Sequence, residues 1–154
     1  MALGAGGGAV IHGALALGSA LMAVAVFDFK APRWATWVGS AALGALAAVF
    51  FLQGVSELAH DDSLTYLAYQ VIGQRLEGWL GNLFLAWCVV VLVADRRASR
   101  ILGSVAMASV ACVKAYAYGL ASQGGSLDAQ APILKVLWLM PFVWLLFESR
   151  KKGS

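Results

Sequence analysis

Charge is scarce in this sequence. Only 12% of its 154 residues are Asp, Glu, Lys or Arg, where an ordinary soluble domain carries about 25%, and 61% are hydrophobic. A mean hydropathy of +0.79 agrees. That balance excludes a water-soluble globular chain and points to a bilayer. Cysteine is nearly absent too: the two present, Cys88 and Cys112, form no C-x-x-C motif, which argues against membrane thiol-redox chemistry. Both read as small apolar packing residues. Nucleophile elbows, phosphate-binding loops and H-E-x-x-H are all missing, so no motif names a reaction or makes the chain an enzyme on sequence grounds. The N-terminal "GAGGGA" follows no strand and is not a dinucleotide fingerprint.

Five long apolar runs remain, at approximately 7–27, 34–58, 79–94, 101–121 and 132–147. A hydrocarbon core of about 30 Å needs about 20 helical residues to cross it. Runs such as "LGSALMAVAVF" and "FLAWCVVVLVA" lack the alternation of barrel strands, and lipid leaves only helices or barrels. The expected fold is therefore all-α: a five-helix integral membrane bundle occupying 1–154 as one transmembrane domain. Between the second and third runs, residues 62–77 are partly amphipathic and expected to lie on the outer surface or to prolong the third helix outward. The first run lacks a basic leader and reads as a retained helix, not a signal peptide.

A net charge of +3 and a pI near 9.1 would suit a nucleic-acid partner, but the positive charge sits in short loops. Lys30 and Arg33 follow the first run, Arg96, Arg97 and Arg100 the third, and Arg150, Lys151 and Lys152 the fifth. Basic short loops mark the cytoplasmic side, so the N-terminus is expected outside and the C-terminus in the cytoplasm. The Ala/Gly-rich composition fits a bacterial inner membrane. Trp34, Trp37, Trp79 and Trp144 fall near helix ends, where indole anchors at the interface. Thr36, Ser40, Gly44 and Ala48, and likewise Ser104, Ala108 and Cys112, form ridges of small residues that predict close helix packing. Pro141 predicts a kink in the fifth helix that frees the carbonyl of Leu137.

Against this apolar background the polar residues form a pattern. In "FLQGVSELAHDD", Gln53, Ser56, Glu57, His60 and Asp61 fall at i, i+3, i+4, i+7 and i+8, one stripe of a helix, on the face opposite Gly44. His12, Asn82, Lys114, Tyr118 and Lys135 all fall in the outer half under this topology, with Glu57 shallower than Lys114, and the inner half of every helix is almost wholly apolar. An ionisable residue within a membrane helix costs about 2.5–3.5 kcal/mol on insertion scales, so it calls for a partner or a wet cavity. His12, Gln53, Glu57, His60, Asp61, Asn82, Lys114 and Tyr118 are thus expected to line a polar cavity that opens outward, binding an amphipathic small molecule or lipid. Glu57 and Lys114 are the candidate acid–base pair.

Other readings compete. No cofactor is called for, but His12, Glu57 and His60 offer a weak mononuclear metal site, and His12 with His60 offers axial haem ligands. In a different class, the chain is an accessory subunit of a larger membrane complex, its small-residue ridges turned toward partner helices or a second copy of itself.

Overall fold

The computed structural model describes residues 5–95 and 98–152; Arg96 and Arg97, used above for sidedness, lie outside them. The described residues form helices and no strands. Helix α1 spans Ala5–Ala25, with a 3-10 turn at Val26–Asp28, and α2 spans Arg33–Ala59. Helix α3 runs unbroken over Asp62–Ala94. Then come α4 (Arg100–Ser122), a four-residue α5 (Leu127–Gln130), a 3-10 stretch (Pro132–Trp138) and α6 (Leu139–Lys152). Four helices, Gly6–Asp28, Arg33–Ala59, Asp62–Ala94 and Arg100–Ser122, are long and apolar enough to cross a membrane.

The last predicted run departs from a single kinked helix. It is 3-10 up to Trp138 and α-helical from Leu139, and the change comes just before Pro141. Proline cannot donate to the carbonyl four residues back. That carbonyl, on Leu137, is not left free, because the N–H of Leu139 bonds to Val136 and Leu137.

The amphipathic segment 62–77 is continuous with the third helix. Its residues Tyr66–Glu77 are π-helical, with hydrogen bonds reaching five residues along the chain. Tyr69 meets Glu57, and Glu77 meets Gln53. Residues 69–77 of α3 thus lie alongside 53–57 of α2. The turn between these helices places His60 in the left-handed region at φ 51°. Asp61 then starts α3, its carboxylate accepting the N–H groups of Ser63 (2.9 Å) and Leu64 (3.1 Å).

Helices α1 and α2 share the most extensive interface, α3 packs on α2, and the segment from Pro132 onward packs between α1 and α4. Leu15, Met22, Leu43, Phe50, Phe84 and Trp144 are among the fully buried side chains. At one end the N–H of Lys30 donates to Asp95 (3.2 Å), the N–H of Ser99 to Glu148 (2.9 Å) and the Ser149 hydroxyl to Asp28 (3.4 Å). The connections flanked by Lys30, Arg33 and Arg100 therefore gather at the end where α6 finishes. His60 and the α4–α5 loop lie at the other.

Thr36 is buried and the Ser40 hydroxyl donates to the Ala23 carbonyl of α1 at 2.7 Å, as the first small-residue ridge predicts, but the rest of the ridges turn outward and the glycines at close contacts are others. A Cβ on Gly44 would have nothing within 4 Å, and Ala48, Ser104, Ala108 and Cys112 are exposed on the outside of the bundle. Instead, a Cβ on Gly39 would lie 2.7 Å from the Trp87 ring, and one on Gly103 would lie 2.6 Å from that of Trp144. Aromatic rings fill the space that glycine leaves, which is why Trp144 is buried and is no interface anchor; Trp34, Trp37 and Trp79 are exposed. Cys88 is buried and Cys112 exposed, so only the first is a core packing residue.

Candidate functional site

The stripe on α2 faces into the bundle, not away from its packing surface. Gln53 and Ser56 are fully buried; Gln53 packs on α3, where a Cβ on Gly73 would lie 3.0 Å from its Nε2, and α1 is made of very small residues where it meets α2. A Cβ on Gly54 would sit 3.5 Å from His12 Cβ and 3.6 Å from the Ala9 carbonyl. A Cβ on Gly8 would collide with the Glu57 carboxylate. The "GAGGGA" run therefore makes room for a carboxylate between two helices.

His12, one turn beyond Gly8, takes that carboxylate. Its Nδ1 lies 2.9 Å from the Gly8 carbonyl and 3.0 Å from Glu57, and its Nε2 lies 3.1 Å from the Lys135 ammonium. Protonation at Nδ1 satisfies this set, since Nδ1–H then donates to the two oxygens and Nε2 accepts from Lys135; the tautomer is assigned from these partners. The Tyr69 hydroxyl also donates to Glu57. Lys135 reaches Glu77 at 3.5 Å, and the Gln53 amide N–H donates to Glu77 at 2.9 Å. The result is one polar chain, Tyr69–Glu57–His12–Lys135–Glu77–Gln53, tying α1, α2, α3 and the 3-10 stretch together. His12, Gln53 and Lys135 are at most 3% exposed, so in this surrounding each charge needs the partner it has.

Beside that chain lies a cavity of about 530 Å³, between the π-helical stretch and α4. This is the size of a small-molecule site. Gln53, Tyr69, Glu77 and Lys135 form one wall, Lys114 and Tyr118 another, and Trp138 and Leu127 line the interior. Lys114 Nζ donates to the Gly78 carbonyl at 3.3 Å and lies over the rings of Trp138 (5.3 Å) and Tyr118 (5.8 Å). The Gln53 oxygen is buried and has no hydrogen-bond partner among the described residues.

Of the residues singled out in the sequence, His12, Gln53 and Glu57 meet in the polar chain, and Gln53, Lys114 and Tyr118 meet at the cavity. Glu57 and Lys114 form no ion pair: Glu57 is held by His12 and Tyr69, and Lys114 by a carbonyl and two rings. His60 and Asp61 are exposed at the α2–α3 turn, and Asn82 is exposed on α3. Among the described residues no three His, Cys, Asp or Glu side chains come together as a metal site, and His60 stands apart from His12 and Glu57. Tyr69 and Glu77 are not among the site residues expected from sequence; they lie in the segment expected either on the outer surface or as an outward extension of the third helix, and the structure has the second. Lys135 is singled out by its depth but is likewise not placed in the site. The signal for the first two was the four-residue spacing of Tyr69, Gly73 and Glu77, which aligns them along one side.

No protein-family model matches the chain, and comparison with curated proteins and with solved structures yields no match.

Proposed function

We propose that this chain is an integral membrane protein of five spanning helices, N-terminus outside and C-terminus in the cytoplasm of a bacterial inner membrane, whose outward-opening cavity binds an amphipathic small molecule or lipid. The clustering of Lys30, Arg33, Arg100 and Arg150 toward one end supports the sidedness, since basic connections stay in the cytoplasm. The fifth span rests on length: seven 3-10 residues and fourteen α residues reach about 35 Å at their usual rises, enough for a core of about 30 Å. In a background lacking both native cysteines, His60→Cys should react from outside whole cells with a membrane-impermeant maleimide, and Ser149→Cys should not. The reverse pattern would overturn the orientation.

One observation carries the binding reading. The cavity presents the half-buried ammonium of Lys114, of whose three N–H groups one is used by the Gly78 carbonyl. Left without a ligand, a buried polar atom costs about 1–3 kcal/mol. Lys114, Lys135 and Glu77 are the groups that reach a bound molecule for proton transfer. Glu57 acts behind His12 and orients it. The test is native mass spectrometry of gently solubilised protein beside a visible absorption spectrum. An organic or lipid mass should accompany the wild type and be lost in Lys114→Met, with the melting temperature unchanged. A Soret band, or a bound mass indifferent to Lys114, would count against this reading.

A second reading, an accessory subunit of a larger complex, is favoured by the exposed small residues Gly44, Ala48, Ser104 and Ala108, which leave faces for a partner helix. There Lys114→Met would leave a co-purifying polypeptide, not a small molecule, as the quantity that changes.

A further inference from the structure

We infer that the cavity takes an uncharged amphiphile whose head is a hydrogen-bond acceptor, of the kind a carbonyl oxygen provides, seated on the ammonium of Lys114. The inference rests on the binding reading above and names its ligand class.

Charge balance sets the class. Lys114 and Lys135 bring two positive charges to the polar groups in and behind the cavity wall, and Glu57 and Glu77 bring two negative ones, with His12 neutral in the tautomer its partners assign. Among the described residues of this group the sum is zero. Glu77 stands beside Lys114: the next residue, Gly78, accepts the Lys114 hydrogen bond at 3.3 Å, and the Glu77 charge acts on that ammonium. An anionic ligand would leave an unbalanced negative charge next to Glu77, and a cationic one an unbalanced positive charge next to Lys114. Unbalanced charge among membrane helices is what insertion penalises. A neutral molecule leaves the balance as it is.

Hydrogen bonding sets the head. An ammonium has three N–H groups and accepts nothing, and among the described residues the Gly78 carbonyl is the one acceptor bonded to Lys114. Trp138 and Tyr118, with ring centres 5.3 and 5.8 Å from Nζ, attract its charge through their faces and offer no lone pair there. Nor can the ammonium withdraw to find another partner. A Cβ on Gly81 would lie 2.5 Å from Trp138 and 3.4 Å from Nζ, so indole and ammonium already rest against the surface of α3. A further acceptor therefore has to come from the cavity side.

Depth agrees with a neutral head. Lys114 lies eight residues before Ser122, where α4 ends, about 12 Å along the helix at its usual rise, and the loop residues Gly124, Gly125 and Ser126 line the cavity beyond that end. A charged head loses its hydration on the way to Lys114, whereas an ester or ketone has far less to lose. Val113, Ala117, Ala121 and Leu127 give the ligand's body apolar walls.

The experiment is a set of melting curves on the full chain in nanodiscs of ether-linked phosphatidylcholine, which brings no ester carbonyl of its own. The probes share one chain length: dodecane, methyl dodecanoate, dodecanesulfonate and dodecyltrimethylammonium, each titrated over the same low mole fractions of the bilayer. Methyl dodecanoate should raise the melting temperature with an apparent affinity about tenfold above that of dodecane, the effect of one hydrogen bond from a charged donor, and neither ion should bind better than dodecane. Lys114→Met should bring the ester down to the dodecane level. Because the probes vary the head without altering the protein, they decide the class even if Lys114→Met does not fold. Equal affinity for ester and dodecane overturns the acceptor requirement, and tighter binding of either ion than of the ester overturns the charge requirement. Preference for the sulfonate, lost in Lys114→Met, would overturn this inference and leave the binding reading standing. If no probe stabilises the protein in a Lys114-dependent way, the binding reading itself fails.

Discussion

Lys135→Met lowers the unfolding free energy of the detergent-solubilised protein by about 2–3 kcal/mol, and adding Glu77→Gln recovers part of the loss. The reason lies in what the first change leaves behind. Methionine nearly matches the volume of the lysine stem, so packing survives, but Glu77 keeps its charge beside Gln53 without the ammonium 3.5 Å away, and His12 Nε2 loses the donor 3.1 Å away, which no change at 77 restores. A carboxylate stranded among helices carries the same penalty, about 2.5–3.5 kcal/mol, that insertion scales assign to a charge in a membrane segment. Removing one partner of a buried pair is more damaging than replacing both. Glutamine at 77 removes the stranded charge and still accepts from the Gln53 amide. The check is a double-mutant cycle by thermal or SDS titration. A double variant less stable than Lys135→Met alone would show that the pair is not what holds these groups in the bundle.

Gly39→Ala destabilises by about 1–3 kcal/mol, whereas Gly44→Ala is neutral or stabilises, by up to about 1 kcal/mol from helix propensity. The added methyl at position 39 would sit 2.7 Å from Cγ and Cδ1 of Trp87. That indole cannot move aside, since it meets Phe29 edge-on at 5.8 Å and stacks on Phe84 at 6.4 Å. At position 44 there is open space within 4 Å. Melting of the two variants side by side gives the answer, and equal losses would contradict the placement of α2 against α3. The pair also bears on the accessory-subunit reading. If Gly44→Leu leaves the isolated chain intact but changes what it migrates with on native gels, that face holds a partner.

The contrast between these two glycines shows what hydropathy and spacing could not convey. Apolar length marks where helices run, and four of the five runs emerge as helices long enough to span. Spacing correctly sets Gly44 and Gln53 on opposite sides of α2. Which side meets the bundle depends on the neighbour, and α1 answers with Gly8, Ala9 and His12, a surface with room for a carboxylate and an imidazole to receive it. Small residues are ambiguous in the same way, because a glycine under an indole and a glycine facing lipid look alike in a sequence. Glu57 and Lys114 share the outer half and carry opposite charge, which suggests a pair, although Glu57 is the shallower of the two. The packing of 66–77 on α2 brings Tyr69 to Glu57 and Glu77 to Lys135, and the four-residue spacing of Tyr69, Gly73 and Glu77 is the only trace of it in the sequence. Polar residues such as Gln70, Gln74 and Arg75 dilute the apolar signal there, so the sequence leaves a surface helix and an extension of the third helix both open, and the structure has the extension. His60 and Asp61 prolong the stripe in register, but the chain leaves the helix at His60, so the pattern outlasts the structure that would give it meaning.

The π-helical stretch has a consequence for the length of the chain itself. Each residue in an α-helix turns the next by about 100°, so the count of residues between Asp61, anchored at the turn, and Gly78 sets the rotational phase of everything after it. Phe84, Trp87, Cys88 and Val91 all face the core in the phase that exists. A run bonded five residues along holds more residues per turn than an α-helix does. Loss of one residue there can be absorbed by tightening a turn, but only by choosing between the register of Tyr69 and Glu77 above it and the inward face of Phe84 and Trp87 below. Residues 66–77 therefore work as a phase adjuster, in which the number of residues is constrained more tightly than the identity of those, such as Gln70, that face outward.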